Sequence, residues 1–171
     1  MASGSDRVRS LRAGRRVALA AVFEAEFGQR TATAVLERQL AETEADPGAG
    51  NLARGIVGEV VAHRDSIDAL IERTAPQYPV VQLARMDRAL LRCALSEVLH
   101  SPTPPRVAIA EWVELARIYS GDPMRRLMNG VLGHIARETG IQASTPSSEE
   151  GVRGHDLRAS QEDRRRAARR R

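Results

Sequence analysis

Between Leu83 and Leu132 two apolar helical patterns follow one another, and each carries charged residues at fixed places inside an otherwise buried-looking helix. The first is Met86-Asp87-Arg88-Ala89-Leu90-Leu91-Arg92-Cys93-Ala94-Leu95-Ser96-Glu97, and the second is Val107-Ala108-Ile109-Ala110-Glu111-Trp112-Val113-Glu114-Leu115-Ala116. Pro102, Pro104 and Pro105 separate them, and Met128-Asn129-Gly130-Val131-Leu132 closes the stretch. Apolar residues recurring at three and four positions line one face of a helix and must be covered by another element. Glu97 falls on the same stripe as Met86, Leu90 and Cys93, where an unpaired carboxylate is costly. The pattern therefore demands a charge partner, and Arg88 or Arg92 is the expected one, fixing how helices dock.

Aromatic residues make up only 3 % of the 171 residues, so the core rests on Leu, Val, Ile and Ala, which suits helix packing better than sheets. Six helices are expected, over about 11–27, 33–44, 52–75, 81–100, 106–119 and 123–139. Leu19, Val22, Phe23 and Phe27 recur on the first, Val35, Leu36 and Leu40 on the second, and Leu52, Ile56, Val60, Ile67, Leu70 and Ile71 on the third. Leu127, Val131, Leu132 and Ile135 mark the sixth. Asp46-Pro47-Gly48 reads as a turn, Asn51 as the N-cap of the third helix, and Asp122-Pro123 as a cap followed by proline in the first helical position. Pro76 and Pro79 separate an N-terminal from a C-terminal half. No stretch alternates as a strand would, and no repeat is visible, so the expected class is all-α.

Charge is distributed unevenly. Residues 1–16 hold five arginines against one acid, residues 142–171 hold eight against five, and the body between has a net charge of −3. Basic ends on a slightly acidic body suit a polyanion met at specific places. The first eight residues are expected to be a flexible basic N-terminus. Residues 142–171 are poor in apolar groups and expected to be disordered. No run approaches the roughly 18 apolar residues of a membrane span, and no secretory h-region opens the chain, so a cytoplasmic, membrane-free protein is expected.

Catalytic apparatus is not expected. There is no lysine anywhere, which excludes a Walker lysine and a Schiff base. Cys93, the single cysteine, lies on an apolar stripe and reads as core. His63, His100, His134 and His155 show no paired ligand spacing. His63 with Asp68 is the nearest to a metal pair, and a solvated helix face accounts for it. No metal and no cofactor are expected. The functional candidates are arginines. Arg9, Arg12 and Arg16 share a helix face, with Arg15 beside it and Phe23 two turns beyond Arg16. Guanidinium groups pair with phosphates and stack on splayed bases, and an aromatic ring can serve as a platform. Arg125 and Arg126 fall in the first turn of the sixth helix, where an anionic ligand relieves their conflict with the helix dipole.

These residues carry a resemblance. Arg12-Ala13-Gly14-Arg15-Arg16 leading to Ala18, Ala21 and Phe23, then Asp87 to Glu97, Val107-Ala108-Ile109-Ala110-Glu111, Glu114-Leu115-Ala116 and Asn129-Gly130-Val131-Leu132 resemble the NusB family of transcription antitermination factors, in order and spacing, over about residues 9–137. The resemblance implies a compact bundle of six to seven helices in two helical subdomains, here a domain over 9–141. It implies binding of boxA-type single-stranded RNA together with the ribosomal protein NusE, alongside other Nus factors and the RNA polymerase elongation complex, in support of ribosomal RNA synthesis. Arg12 and Arg15 fall on the family's RNA-gripping arginines, Phe23 where an RNA-contacting tyrosine is common, and Arg125, Arg126 and Asn129 near the same RNA face. Departures are also present: Leu127 for Phe, Ser96 for Tyr, Ala110 for Asn, Tyr78 for Trp, and Trp112 for a small residue. Ala110, Glu111 and Trp112 lie on a helix whose outer face is expected to meet the ribosomal protein or, in a homodimer, a second copy. Two other readings remain open: a detached recognition module of a ribosomal RNA cytosine methyltransferase system, and a structural helical adaptor.

Overall fold

The computed structural model describes residues 3–141. Among the described residues there are six α-helices: α1 (Gly4–Ala25), α2 (Ala32–Thr43), α3 (Pro47–Thr74), α4 (Arg85–His100), α5 (Pro105–Ser120) and α6 (Asp122–Glu138). A short 3-10 turn over Val80–Gln82 connects α3 to α4. Among the described residues there is no strand, as the helical periodicities predict.

Helix starts follow local chemistry more closely than the apolar pattern does. The Ser3 hydroxyl accepts from the Asp6 amide while the Asp6 carboxylate accepts from the Ser3 amide, a reciprocal capping box. α1 therefore begins at Gly4, and the N-terminal segment expected to be flexible is helical from that point. Asp46 caps α3 by accepting from the Gly48 and Ala49 amides, with Pro47 in the first turn. The expected cap, Asn51, is inside the helix. At α6 the cap is Gly121, whose φ of 89° places it in the region that favours glycine. Asp122 is already helical there, and its carboxylate accepts from Arg125.

α1, α2 and α3 pack together as one half, and α4, α5 and α6 as the other; α4 also packs on α1 and α3 and so joins them. That central position explains why ten consecutive residues, Ala89 to Val98, are buried. The sequence expectation of a single stripe on this helix understates its enclosure. One continuous core results, running from Leu19 and Leu36 through Ile56, Ile67 and Leu90 to Trp112, Met128 and Leu132. Cys93 is fully buried within it, and burial pushes its thiol pKa up, which fits a core role. α1 and α3 approach so closely that a Cβ on Gly14 would stand 2.6 Å from the Ala49 carbonyl oxygen. No helix of the described residues is long and apolar enough to cross a membrane.

Arg88 and Arg92 do not pair with Glu97. At about 100° per residue Arg88 and Glu97 point to opposite sides of α4. Instead Arg92 grips Asp68 through Nε at 2.8 Å and Nη2 at 2.7 Å, and donates to Glu26 as well. Arg88 donates from Nε to Glu26 at 2.7 Å and from Nη1 to the Val80 and Leu83 carbonyls. Burial alone would lower the pKa of the Arg92 guanidinium, but Asp68 and Glu26 outweigh it and raise it. This network ties the end of α1, the C-terminal third of α3 and the 3-10 turn to α4.

Candidate nucleic-acid interface

The partner of Glu97 comes from the other end of the chain. Arg15 on α1 meets it in a two-pronged pair, Nε to Oε2 at 2.9 Å and Nη2 to Oε1 at 2.7 Å. Trp112 on α5 adds a third donor, its indole Nε1 lying 2.6 Å from Oε2. Glu97 and Trp112 are fully enclosed and Arg15 is 2 % exposed. Arg15 is thus corrected from a hand for phosphate to a buried clamp between α1 and α4. Trp112 is corrected likewise: it faces the interior and offers nothing to a docking protein. Three donors on one carboxylate offset the desolvation that makes a lone buried charge costly.

Outside the clamp the charges become accessible. Arg12, one turn before Arg15 on the same helix, reaches Glu111 on α5 through Nε at 2.9 Å and Nη2 at 3.0 Å. Glu111 also stands 4.0 Å from Arg15 Nη1, so it bridges the exposed arginine to the enclosed one. Glu111's hydrogen bonds and charge hold the Arg12 guanidinium above its ordinary pKa. Arg16 is exposed and makes no ion pair among the described residues. Ala110 is exposed beside Glu111. The structure therefore brings Arg12, Arg15, Glu111, Trp112 and Glu97 into one cross-helix network, with Arg12 and Arg16 at its outer edge.

The remaining candidates stand apart from that network. Phe23 is half-buried and packs its ring edge-on to Phe27, with centroids 5.4 Å apart. Phe27, read from the sequence as core, is 53 % exposed, and the Arg85 guanidinium sits 4.7 Å over its ring. The more accessible aromatic of the pair is thus one the sequence pattern assigned to the interior. Arg125 donates to Asp122 at 2.9 Å, holding that carboxyl below its ordinary pKa. Arg126 and Asn129 are exposed on α6. Next to the α1 network, a groove of about 580 Å³ is lined by Arg7, Val8, Leu11, Leu52 and Val107 among others.

Fold and site together define an all-α domain of two three-helix halves, clamped by an enclosed ion pair and presenting an arginine-bearing edge. The chain belongs to the NusB family, whose sequence profile matches residues 12–137. It is 35 % identical over 129 residues to the transcription antitermination protein NusB of Dehalococcoides mccartyi, covering 75 % of this chain and 90 % of that protein. It is 37 % identical over 138 residues to the protein of the same name from Roseiflexus sp., covering 79 % and 93 %. Among solved structures, T. maritima NusB superposes with a TM-score of 0.69 at 32 % identity, covering 74 % of this chain and 90 % of that one. A complex of the antitermination factors NusB and NusE with double-stranded RNA gives 0.68 at 20 % identity, covering 76 % and 98 %, a likeness of fold alone.

Proposed function

We propose that this chain is a non-catalytic, cytoplasmic transcription antitermination factor that binds boxA-type single-stranded RNA together with ribosomal protein NusE. In this reading it works without a cofactor and joins other Nus factors on the RNA polymerase elongation complex, supporting ribosomal RNA transcription. The observation that carries the proposal is the edge of α1, where Arg12 and Arg16 are exposed while Arg15, between them, is anchored to Glu97. Anchoring Arg15 fixes the position of this stretch of α1, so Arg12 and Arg16 are presented from one exposed edge of the helix. Arg125 and Arg126 supply a second basic element for the same polyanion, with the Asn129 amide beside them. Ala110 and the outer face of α5 are offered to the protein partner. Family relatives named as antitermination proteins, matched over about nine-tenths of their length, favour this reading over a methyltransferase module.

Fluorescence anisotropy of a boxA-like RNA, across a salt series and with or without NusE, tests it. Arg12→Ala and Arg16→Ala each weaken binding and reduce the slope of log affinity against log salt by ~0.7 for every phosphate no longer neutralised. Glu111→Gln removes the carboxylate that competes for Arg12 and tightens binding. Unchanged affinity and slope in both arginine variants overturns the assigned face.

A further inference from the structure

Around α4 from the arginine network, three metal-ligating side chains converge. Glu59 and His63 stand four residues apart on α3, one turn, so they project from one face. His100 is the last residue of α4, and the packing of α4 on α3 lays its imidazole over that of His63, with ring centroids 4.3 Å apart and planes 15° from parallel. A Glu59 carboxylate oxygen lies 3.1 Å from His63 Nε2. One donor atom from each of the three falls within 4.8 Å of the others. Among the described residues, these side chains make no hydrogen bond or ion pair outside the trio. α3 departs from helical geometry at His63 itself (φ −121°, ψ 17°), and the Ser66 hydroxyl donates to the His63 carbonyl at 2.9 Å. The bend thus falls on a member of the trio and is satisfied locally.

Two imidazoles and one carboxylate are the donor set of zinc sites that keep an open coordination position. An ion bound at ~2.1 Å to each donor draws the three to roughly 3.4 Å of one another, a movement that partly exposed side chains make by rotation about χ angles. Stacked face to face, the two rings direct no ring nitrogen at one another, whereas a shared cation gives a nitrogen of each imidazole a partner. We propose that Glu59, His63 and His100 form a binding site for a first-row transition-metal dication, zinc foremost, with the remaining positions open to water or an incoming donor. Glu59 and His100 also line the groove beside α1, so an ion here adds positive charge at its edge. It would also tie the end of α4, and the Pro102–Pro105 turn after it, to α3.

The test uses untagged full-length protein titrated with zinc by calorimetry and with cobalt(II) by visible absorption. The wild type binds one equivalent, develops cobalt d–d bands, and unfolds at a higher temperature with zinc than without. His63→Ala and His100→Ala each weaken binding by at least ~10-fold, since losing a ligand costs no less than losing an outer-sphere partner. His100 is exposed at a helix end, so His100→Ala keeps the fold and the test stands even where His63→Ala does not. Absence of binding to the wild type overturns the proposal, as does wild-type affinity and stoichiometry in His100→Ala, which would place the metal elsewhere.

Discussion

A carboxylate enclosed as fully as Glu97 is tolerable because other elements fix each of its donors. Arg15 arrives from α1 and Trp112 from α5, so the three side chains hold α1, α4 and α5 in one relative position. Removing Arg15 leaves Glu97 enclosed with only the Trp112 indole N–H as donor, and breaking a buried ion pair in this way costs ~3–5 kcal/mol. Arg15→Met is therefore expected to lower unfolding stability by that amount, measured by denaturant titration with Trp112, the single tryptophan of the chain, as reporter. The double change Arg15→Met with Glu97→Leu recovers part of the loss, because both charges leave together and only the indole N–H stays unpaired. RNA affinity per folded molecule separates Arg15 from Arg12: it changes less in Arg15→Met than in Arg12→Ala. A stability change under ~0.5 kcal/mol, the scale of ordinary surface substitutions, would show that the clamp does not hold the helices.

At the scale of elements, the decisive junction is α1 on α3. Gly14 is required there by close approach rather than by backbone freedom, because a Cβ would meet the Ala49 carbonyl carbon and oxygen, which belong to rigid helix backbone. Alanine in place of glycine gains about 1 kcal/mol of helix propensity, yet separating two packed helices costs ~1–3 kcal/mol. Gly14→Ala is expected to be destabilising on balance, with a lower Tm and unchanged helical content by circular dichroism. A raised Tm would mean that α1 can shift without penalty. The junction also shows what was legible beforehand. Apolar spacing located all six helices, because the core faces of α2, α3 and α6 repeat locally. Two Asp-Pro pairs misled in opposite directions. At Asp46-Pro47 the aspartate is the cap although the pair reads as a turn, and at Asp122-Pro123 the cap is Gly121 although the pair reads as a cap. Neighbouring groups decide between them: Asp46 also accepts from Ser10 on α1, at 2.7 Å. Periodicity likewise flagged Glu97 as a charge in need of a partner. It could not find Arg15, because the two are 82 residues apart and only the tertiary fold brings them together.

For the whole molecule, charge and core are divided along the chain. Among the described residues the hydrophobic core lies between Ala18 and Ala136, whereas the net positive charge belongs to the ends, since residues 17–141 sum to −3 and the chain to +4. A chain ending at residue 141 keeps the whole described core and both ion networks but loses eight arginines and five acids. Its Tm is expected to match that of the full chain within about 2 °C, well under the shift that 1 kcal/mol produces in a domain of this size. RNA binding should respond differently. The lost segment contributes attraction that acts over a Debye length of ~10 Å at 0.1 M salt and is screened above that, so the truncated chain binds more weakly at low salt and converges on the full chain at high salt. Arg12→Ala differs by weakening binding at both ends of the series, because it removes a particular phosphate partner. Anisotropy across the series, with Tm measured on the same samples, distinguishes the cases. A truncated chain that melts several degrees lower shows that residues 142–171 help to hold the fold. Parallel salt curves for the two chains remove those residues from the RNA interaction and leave the α1 edge to carry it.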